Sequence, residues 1–495
     1  MQYGFLIDQR RCIGCHACTV ACKAENDVPL GNFRTWVKYE EQGSFPDNRR
    51  HFTVLRCNHC SNAPCVTICP VNALKKTGTG IVDLDRDVCI GCRACMQACP
   101  YDALHLNEDR GCVEKCHYCA HRVERNLEPA CVVVCPEKAI ISGDLDDPES
   151  ALSRMVGTLE TSVRRPEQRT LPNVHYVGHQ RHALKPGSAK RPETYLWSDR
   201  PPAKPDPWPR QIETIPGLTT VLDVGHKIEW GTAVALYLVT KGIAAGAGLL
   251  LPWVGALGLS GWRADFAPEL LALVFLGLTT VLLVHDLTRP RLFLTLLTRG
   301  NRRSWLVLGA YLLIGFGLTL TASLAARLYG LDQLADQIRW LSAALAAGVA
   351  GYTAFLFQQC EGRDLWQSRL LLPHLLVQAL LLGAVCLRPF ADRRAPLATI
   401  LVASGLLHLA LSLVEWKRRH STDNARQAAA FLGTLRAGGT LRAGGLRPFP
   451  VSLLLIVLML PLAVLSSAGG IGLALLGLFL YEWAFIRAGQ LPPLS

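Results

Sequence analysis

Sixteen of the 19 cysteines in this 495-residue chain fall into four runs of four, and they are the residues best suited to chemistry. The spacings are C-x2-C-x2-C-x3-C, C-x2-C-x4-C-x3-C, C-x2-C-x2-C-x3-C and C-x2-C-x11-C-x3-C. Pro follows the last cysteine of the second, third and fourth runs, whereas Lys23 follows that of the first. In sequence order the members are Cys12, Cys15, Cys18, Cys22; Cys57, Cys60, Cys65, Cys69; Cys89, Cys92, Cys95, Cys99; and Cys116, Cys119, Cys131, Cys135.

A close cysteine triplet with a fourth cysteine and Pro is the ligand run of bacterial [4Fe–4S] ferredoxins, whose fourth thiol binds the neighbouring cluster. Disulfides fit poorly because the two-residue spacing is tight and we see no secretory signal. Zinc sites use C-x-x-C pairs rather than triplets with a distant fourth cysteine. Buried structural thiols would explain one or two cysteines but not sixteen in register. We expect all sixteen to be iron ligands, and Cys112, Cys360 and Cys386 to be non-ligands.

Composition divides the chain into two unlike parts. The first 225 residues hold 17 of the 19 cysteines, and the remainder is a series of apolar runs rich in Leu, Ala and Gly. With 50% hydrophobic and 18% charged residues, the chain is neither purely soluble nor disordered. Its net charge of +12 does not indicate nucleic-acid binding, because the arginine clusters lie between apolar segments. The stretch 179–225, rich in Pro and basic residues, is predicted to be an extended linker.

Eight apolar runs are long enough to span a membrane, since a span needs about 20 residues. We predict helices over 231–252, 268–287, 304–326, 340–358, 370–387, 396–415, 451–468 and 470–488. An even number places the chain's end on the same side as the cysteine-rich half. Loops on that side carry fourteen Lys or Arg residues against six on the other, so the cysteine-rich half is expected on the cytoplasmic side of an inner membrane. Export by a catalytic partner remains an alternative.

Residues 1–178 resemble the four-cluster ferredoxin subunits of the dimethyl sulfoxide reductase B, polysulfide reductase B and NrfC type. The resemblance includes all four cysteine runs in order and the stretch Gly143 to Pro148. It implies an α+β ferredoxin-like domain with duplicated [4Fe–4S] modules, paired head to tail, and four [4Fe–4S] clusters. The implied ligand groups are Cys12, Cys15, Cys18, Cys135; Cys116, Cys119, Cys131, Cys22; Cys57, Cys60, Cys65, Cys99; and Cys89, Cys92, Cys95, Cys69.

Residues 226–490 resemble the NrfD and polysulfide reductase C family of membrane subunits, which implies an all-α transmembrane bundle. The matching motifs are Leu236 to Gly246, Asp286 to Phe293 followed by Ser304-Trp305, and Leu365 to Pro373. The resemblance implies exchange of electrons and protons with quinone, without haem. Polar residues near the helix ends on the ferredoxin side, together with a mid-helix lysine, are tentative quinone-site candidates: Glu229, Tyr237, Lys241, His285, Asp286, Arg289 and His374.

These features predict an electron conduit rather than an enzyme acting on the terminal substrate. The resembled subunits work beside a molybdopterin (molybdenum or tungsten) catalytic subunit, so the implied partners are such a subunit, membrane lipid and the quinone pool, with no nucleic acid. The chain would then be a quinone- or quinol-reactive oxidoreductase subunit. Two alternatives remain open: a redox-driven ion-translocating module, favoured by Lys241 and Asp286, and a passive membrane anchor whose clusters serve a soluble acceptor.

Overall fold

The structure is a computed structural model that describes residues 1–178, 181–190, 214–225, 227–435, 446–465 and 468–494. Much of the predicted linker, residues 179–180 and 191–213, lies outside the described residues, as does most of the repeated TLRAGG sequence near residue 440. The described residues form a cysteine-rich part made of short elements and a part made of long apolar helices.

The cysteine-rich part is assembled from two three-stranded sheets, two small hairpins and six short helices. The sheets have the orders β8-β1-β9 and β10-β2-β3, and the hairpins are β4-β5 and β6-β7. The strands are β1 (Tyr3–Asp8), β2 (Thr35–Ser44), β3 (Asp47–Arg56), β4 (Leu74–Lys76), β5 (Val82–Leu84), β6 (Leu104–Asn107), β7 (Cys112–Lys115), β8 (Ile140–Asp144), β9 (Val174–Val177) and β10 (Leu218–Leu222). The helices are α1 (Ala17–Asn26), α2 (Pro64–Ile68), α3 (Ala94–Ala98), α4 (Ala120–Val123), α5 (Ala130–Val133) and α6 (Ala151–Thr158).

Strand β1 forms the centre of the first sheet because it is apolar on both faces. Phe5, Leu6 and Ile7 are all fully buried, as expected of a central strand covered on both sides. It pairs antiparallel with β8 and parallel with β9. Strand β10 pairs antiparallel with β2. The predicted linker therefore contributes a strand to the cysteine-rich part, which a Pro-rich composition does not reveal.

A turn with a repeated conformation follows three of the four cysteine runs. The sequences Cys69-Pro70-Val71-Asn72-Ala73 and Cys99-Pro100-Tyr101-Asp102-Ala103 lead into the two hairpins, and both Asn72 and Asp102 have φ of 54°. Lys138 occupies the same place after Cys135, with φ of 46°. Asn and Asp tolerate this left-handed conformation better than most residues. In the first and third of these turns, a backbone N–H then donates to the cysteine sulfur, from Leu74 to Cys69 at 3.5 Å and from Ala139 to Cys135 at 3.2 Å.

The membrane part contains eleven helices within the described residues. Seven of them are long and apolar enough to cross a membrane, and the remaining long one, over Pro448–Leu465, has a shorter described apolar stretch of Pro448–Leu462. Seven of the eight predicted spans therefore meet the length requirement. The helices are α7 (Thr232–Leu250), α8 (Trp262–Asp265), α9 (Ala267–His285), α10 (Thr295–Thr298), α11 (Trp305–Leu328), α12 (Asp332–Gln359), α13 (Leu371–Leu387), α14 (Ala395–Lys417), α15 (Asp423–Thr434), α16 (Pro448–Leu465) and α17 (Ala468–Gln490).

Helix α12 is much longer than the predicted segment 340–358, because polar residues continue it at its start. Arg339 lies on that extension and forms a buried ion pair with Glu269 of α9 at 2.7 Å. Hydropathy cannot predict such an extension, since the two charges compensate each other only once the helices pack. Helices α7 and α13 occupy the centre of the bundle, where Gly246 and Gly383 let the two backbones approach closely.

Helix α15 is an amphipathic helix that the apolar runs did not predict. The Thr422 side chain accepts a hydrogen bond from the Ala425 N–H at 3.1 Å and so caps its start. Ala425, Ala428 and Leu432 are buried along one face. Asp423 also pairs with Lys185 of the cysteine-rich part at 2.7 Å, which ties this helix to both parts of the molecule.

Candidate iron–sulfur site and membrane junction

The four cysteine runs meet one another across long distances in the sequence. In each case at least one thiol of one run interacts electrostatically with the last thiol of another run. Cys12 interacts with Cys135, Cys22 with Cys116, and Cys65 with Cys99. We name the groups set A (Cys12, Cys15, Cys18, Cys135), set B (Cys22, Cys116, Cys119, Cys131), set C (Cys57, Cys60, Cys65, Cys99) and set D (Cys69, Cys89, Cys92, Cys95).

The spacing and chemistry of these thiols suit iron–sulfur clusters. All nineteen cysteines are free thiols. Each set combines four cysteines from two different runs, which is the donor number and type that a [4Fe–4S] cluster requires. N–H donors also point at the sulfurs: besides the two turn amides, the Asn26 amide lies 3.7 Å from Cys22 Sγ and 3.8 Å from Cys119 Sγ. Hydrogen bonds to sulfur stabilise ligating thiolates and tune their clusters.

The sets follow one another in space from A to D. Cys18 of set A interacts with Cys131 of set B, and Cys65 of set C interacts with Cys95 of set D. Lys115 links the two middle sets, because its ammonium donates to the Cys116 carbonyl at 2.6 Å and interacts with the Cys65 thiol. The sets therefore form one row of neighbours.

Set A lies at the outer end of that row. Cys15 is solvent-exposed. Apolar side chains next to the set A thiols in the sequence are exposed as well, with Ile13 at 54%, Val20 at 63% and Val133 at 58%. A thiol that is open to solvent and flanked by exposed apolar residues is accessible to another protein.

Set D lies at the other end, pressed against the membrane part. Arg93 forms an ion pair with Asp286, at the end of α9, at 2.9 Å. The Trp230 ring N–H donates to the Cys92 carbonyl at 3.3 Å, and the Asn301 amide donates to the Cys69 carbonyl at 3.0 Å. The contacts join the backbone of the ligand loops themselves, so they fix the position of set D relative to the helices.

The loop of set D approaches the membrane part so closely at position 91 that only glycine fits there. Gly91 has φ of +70°, and a Cβ there would overlap the Thr288 hydroxyl and lie 2.9 Å from the Gly111 carbonyl oxygen. Thr288 belongs to the loop after α9 and donates to that same carbonyl at 2.6 Å. A residue with a side chain would push the membrane part away from set D.

An aromatic stack lies directly behind set D. The rings of Trp230 and Trp366 are 5.6 Å apart at an interplanar angle of 15°, and those of Trp366 and Phe357 are 4.7 Å apart. Trp366 is fully buried. The stack starts at the Cys92 loop, which the Trp230 ring contacts, and continues into the membrane part.

A buried polar cluster occupies the membrane part between α7, α12 and α17. The Lys241 ammonium donates to Thr353 Oγ1 at 2.5 Å and to the Ala350 carbonyl at 3.3 Å, and it interacts electrostatically with Glu482. Tyr237 also bonds to Thr353 and interacts with Asp286. The cavity between Lys241 and Glu482 has a volume of about 10 Å³, at most enough for one water molecule. The cluster is a contiguous set of ionisable and hydroxyl side chains, and its cavity admits no molecule larger than water.

The predicted quinone-site residues fall into two groups. The structure brings Tyr237, Lys241 and Asp286 together, and burial raises the pKa of the Asp286 carboxyl although Arg93 opposes that rise. His285, next to Asp286, is exposed.

The remaining three candidates lie apart from that cluster. The Arg289 guanidinium binds the backbone carbonyls of Arg86 and Arg110, at 2.7 and 3.0 Å, and serves the junction. Glu229 is partly buried, and its backbone N–H donates to Gln490 at 3.0 Å. His374 lies in a separate buried group.

That separate group consists of His374, His408 and Tyr481. His374 Nε2 and His408 Nδ1 are hydrogen-bonded to each other at 2.8 Å, and Tyr481 bonds to the other His374 nitrogen at 3.3 Å. The two imidazoles form a polar pair inside the bundle of α13, α14 and α17.

The sequence reasoning missed several residues that shape these sites. Glu482 is an acidic residue within the predicted span 470–488, and an ionisable residue at that depth is a signal that should have been followed. Thr353 and Trp366 carry no comparable signal, because Thr and Trp are common in membrane helices and at their ends. Arg56, which precedes a cysteine run, was also overlooked.

Comparisons with known families match both parts of the molecule. The model of the polysulphide reductase NrfD family matches residues 220–491, more than half of the chain. A 4Fe–4S dicluster domain matches residues 49–145, and a 4Fe–4S binding domain matches residues 3–24. The predicted resemblance of the two halves is confirmed, and with it the multi-pass membrane character of the second half.

Curated relatives match the cysteine-rich part. The tetrathionate reductase B subunit of Salmonella typhimurium is 44% identical over 181 residues, which cover 36% of this chain and 72% of the relative. The thiosulfate reductase electron transfer subunit PhsB of Salmonella typhi is 45% identical over 172 residues, 34% of this chain and 88% of the relative. Protein NrfC of Escherichia coli is 41% identical over 159 residues, 32% of this chain and 71% of the relative. This protein therefore belongs to the polysulphide reductase NrfD family, and carries a 4Fe–4S ferredoxin domain in front of its membrane domain.

Proposed function

We propose that the protein conducts electrons between a molybdopterin-containing catalytic partner and the quinone pool, with one [4Fe–4S] cluster in each of sets A to D. A bound cluster of this kind supplies a one-electron redox step. The observation that carries the proposal is the unbroken row of thiol sets from an exposed surface to the membrane junction. The matched relatives include subunits of tetrathionate and thiosulfate reductases, which supports a partner that acts on the terminal substrate.

The domain organisation follows from the same proposal. We assign residues 1–178 to a ferredoxin-like domain with duplicated cluster modules, 179–225 to a connecting segment, and 226–490 to a membrane domain of eight spans, counting α16. The exposed apolar residues beside set A would contact the catalytic partner. Joining both functions in one polypeptide keeps set D beside the quinone site at a high effective concentration.

Within this proposal, we assign the quinone site to the ferredoxin-side end of α9. His285 and Asp286 lie there, and Arg93 connects Asp286 to the ligand loop of set D at 2.9 Å. Since the cavity beside Lys241 is too small for a quinone ring, Tyr237, Lys241 and Glu482 would exchange protons rather than hold the ring. Tyr237 and Lys241 both contact Thr353, and Glu482 interacts with Lys241, so the three residues are neighbouring proton carriers beneath the proposed site.

The orientation in the membrane is inferred from charge. Basic residues concentrate in the loops on the ferredoxin side, including Arg289 and Arg303. By the positive-inside rule we place the ferredoxin domain on the cytoplasmic side of an inner membrane.

The ratio of molybdenum or tungsten to iron tests the function. The tagged full-length protein is purified in mild detergent from its native membranes, and both heavy metals and iron are measured. One heavy-metal atom per about 16 to 20 irons is expected, given about four irons for each set. About sixteen irons with neither metal would contradict the molybdopterin partner, and markedly fewer irons would contradict the four clusters.

A second function, redox-driven ion translocation, is favoured by the buried Lys241–Thr353 contact and by Glu482 beside it. Lys241→Met in sealed vesicles distinguishes the two functions. Lost proton movement with intact quinone turnover supports translocation, whereas loss of quinone turnover supports a role at the quinone site. Arg263→Gln is a suitable control, because it removes a charge from an exposed ion pair with Asp392 in the same half of the molecule.

A further inference from the structure

Arg56 carries a buried charge without a carboxylate partner. It ends strand β3 and is fully buried. Its guanidinium donates to Cys131 Sγ at 3.3 Å and to Thr35 Oγ1 at 3.2 Å, and it lies 4.3 Å from the centre of the Phe5 ring. In the part of the protein that the structure describes, no Asp or Glu forms an ion pair with it.

Other buried arginines in the same domain are compensated differently. Arg34 is equally buried, but it forms an ion pair with Glu114 at 2.8 Å. Arg164 donates to the Leu494 backbone carbonyl at 2.7 Å. Arg56 instead faces sulfur, since it interacts electrostatically with Cys131, Cys116 and Cys18. Two of those thiols belong to set B and one to set A.

A buried guanidinium of this kind needs a negative group nearby. Arginine stays protonated in proteins, and burying an unpaired charge costs several kcal/mol. Within the described residues, the groups that Arg56 faces are sulfurs of sets A and B, which would be negative thiolates when they hold a cluster. A cluster held by four thiolates is net negative, and gains one further negative charge when it accepts an electron. A fixed positive charge beside it therefore favours the reduced form.

We propose that Arg56 sets the reduction potential of the cluster in set B, raising it relative to the same cluster without the charge. The proposal rests on the proposed presence of a [4Fe–4S] cluster there. The effect on set B exceeds that on set A, because the hydrogen bond goes to Cys131 and two of the three facing sulfurs belong to set B. Removing the charge would therefore make set B, one step in from the exposed end, harder to reduce.

The test is a redox titration of the purified full-length protein, followed by electron paramagnetic resonance, after its iron content has been measured. Arg56→Gln is expected to keep the wild-type iron content. At a fixed potential near the midpoint, its reduced-to-oxidised ratio for one cluster should fall about tenfold, which corresponds to about 59 mV for a one-electron couple. Arg56→Lys keeps the charge and should show a smaller fall. Arg164→Gln removes an equally buried guanidinium that faces a carbonyl, and should leave that ratio unchanged.

Two outcomes would overturn the proposed role of Arg56. An Arg56→Gln protein with full iron and four unchanged midpoints would overturn the role of Arg56, as would equal shifts in Arg56→Gln and Arg56→Lys. If Arg56→Gln loses iron, Thr35→Val serves instead, since it removes a hydroxyl that positions the guanidinium. A fall of about twofold in the same ratio is then expected, and an unchanged ratio would overturn the proposal. Wild-type iron well below about sixteen would contradict the proposed four clusters, not the role of Arg56.

Discussion

Sets A and D use the same local sequence in opposite surroundings. Cys12-Ile13-Gly14-Cys15 and Cys89-Ile90-Gly91-Cys92 share a motif, and their glycines have φ of +73° and +70°. The residues after the motif, His16 and Arg93, also match, with φ of 61° and 60°.

The environments of these two loops differ completely. Ile13 is exposed and Cys15 faces solvent, whereas Ile90 is buried and its carbonyl accepts the Arg289 N–H at 3.2 Å. The shared motif therefore determines the conformation of the cysteine loop. The surface that surrounds the loop determines which redox partner can approach it.

The largest expected effect comes from removing one thiol at each end. Cys15→Ala and Cys92→Ala should each lower the iron content from about sixteen to about twelve. Only Cys92→Ala should also abolish reduction of the remaining clusters by quinol, because it removes the set next to the membrane. Iron analysis and quinol-driven bleaching of the visible absorbance measure the two effects. Loss of quinol reduction in Cys15→Ala would contradict the assigned order of the sets.

Breaking the junction should have a smaller effect. Arg93→Ala removes the partner of Asp286, and the partly exposed pair is worth on the order of 1 kcal/mol. We expect quinol reduction to slow by about fivefold to tenfold, measured by stopped-flow absorbance at unchanged iron content. His16→Ala, at the equivalent position of set A, is the matched control. Equal slowing in both variants would show that the ion pair has no special role.

A charge placed beside set A should weaken the catalytic partner's binding. Ile13→Asp and Val20→Asp each introduce a carboxylate into the exposed apolar surface, and we expect about a fivefold fall in co-purified partner, as for loss of roughly 1 kcal/mol of interface energy. Phe45→Asp is a control, since Phe45 is 90% exposed at the turn between β2 and β3. An equal fall in the control would argue against a partner at set A.

The smallest effect on electron transfer is expected from the hairpin β6-β7, which contacts the junction and is tested through its contribution to stability. Burial lowers the pKa of His105 to about 4, against the opposing influence of Glu114. Since the unfolded histidine takes up its proton near pH 6.5, the unfolded state binds more protons between pH 6.5 and 4, and stability falls as the pH drops through that range. His105→Gln should reduce this fall by up to about 1.4 kcal/mol per pH unit. Unfolding midpoints measured across the range test it, and identical slopes in both proteins would refute it.

The sequence alone determined the features that depend on neighbours along the polypeptide. Cysteine spacing predicted a 4Fe–4S protein, because a ligand loop is a local structure. Apolar run length predicted eight spans, of which seven meet the membrane-crossing length, because a helix in lipid satisfies its own backbone. The extension of α12 from Asp332 and the helix α15 escaped this reasoning, since both depend on packing against other elements.

Only the tertiary structure decided which groups from distant parts of the sequence meet. Folding brings Cys12 close to Cys135 and Lys241 close to Glu482. The number of residues between the members of each pair does not by itself predict that they meet. Arg289, a predicted quinone-site residue, also binds the Arg86 carbonyl of the ferredoxin domain, a contact that spacing did not predict. The physical reason is that a buried charge pairs with whichever group packing places beside it: a carboxylate for Arg34, a carbonyl for Arg164, and sulfur for Arg56.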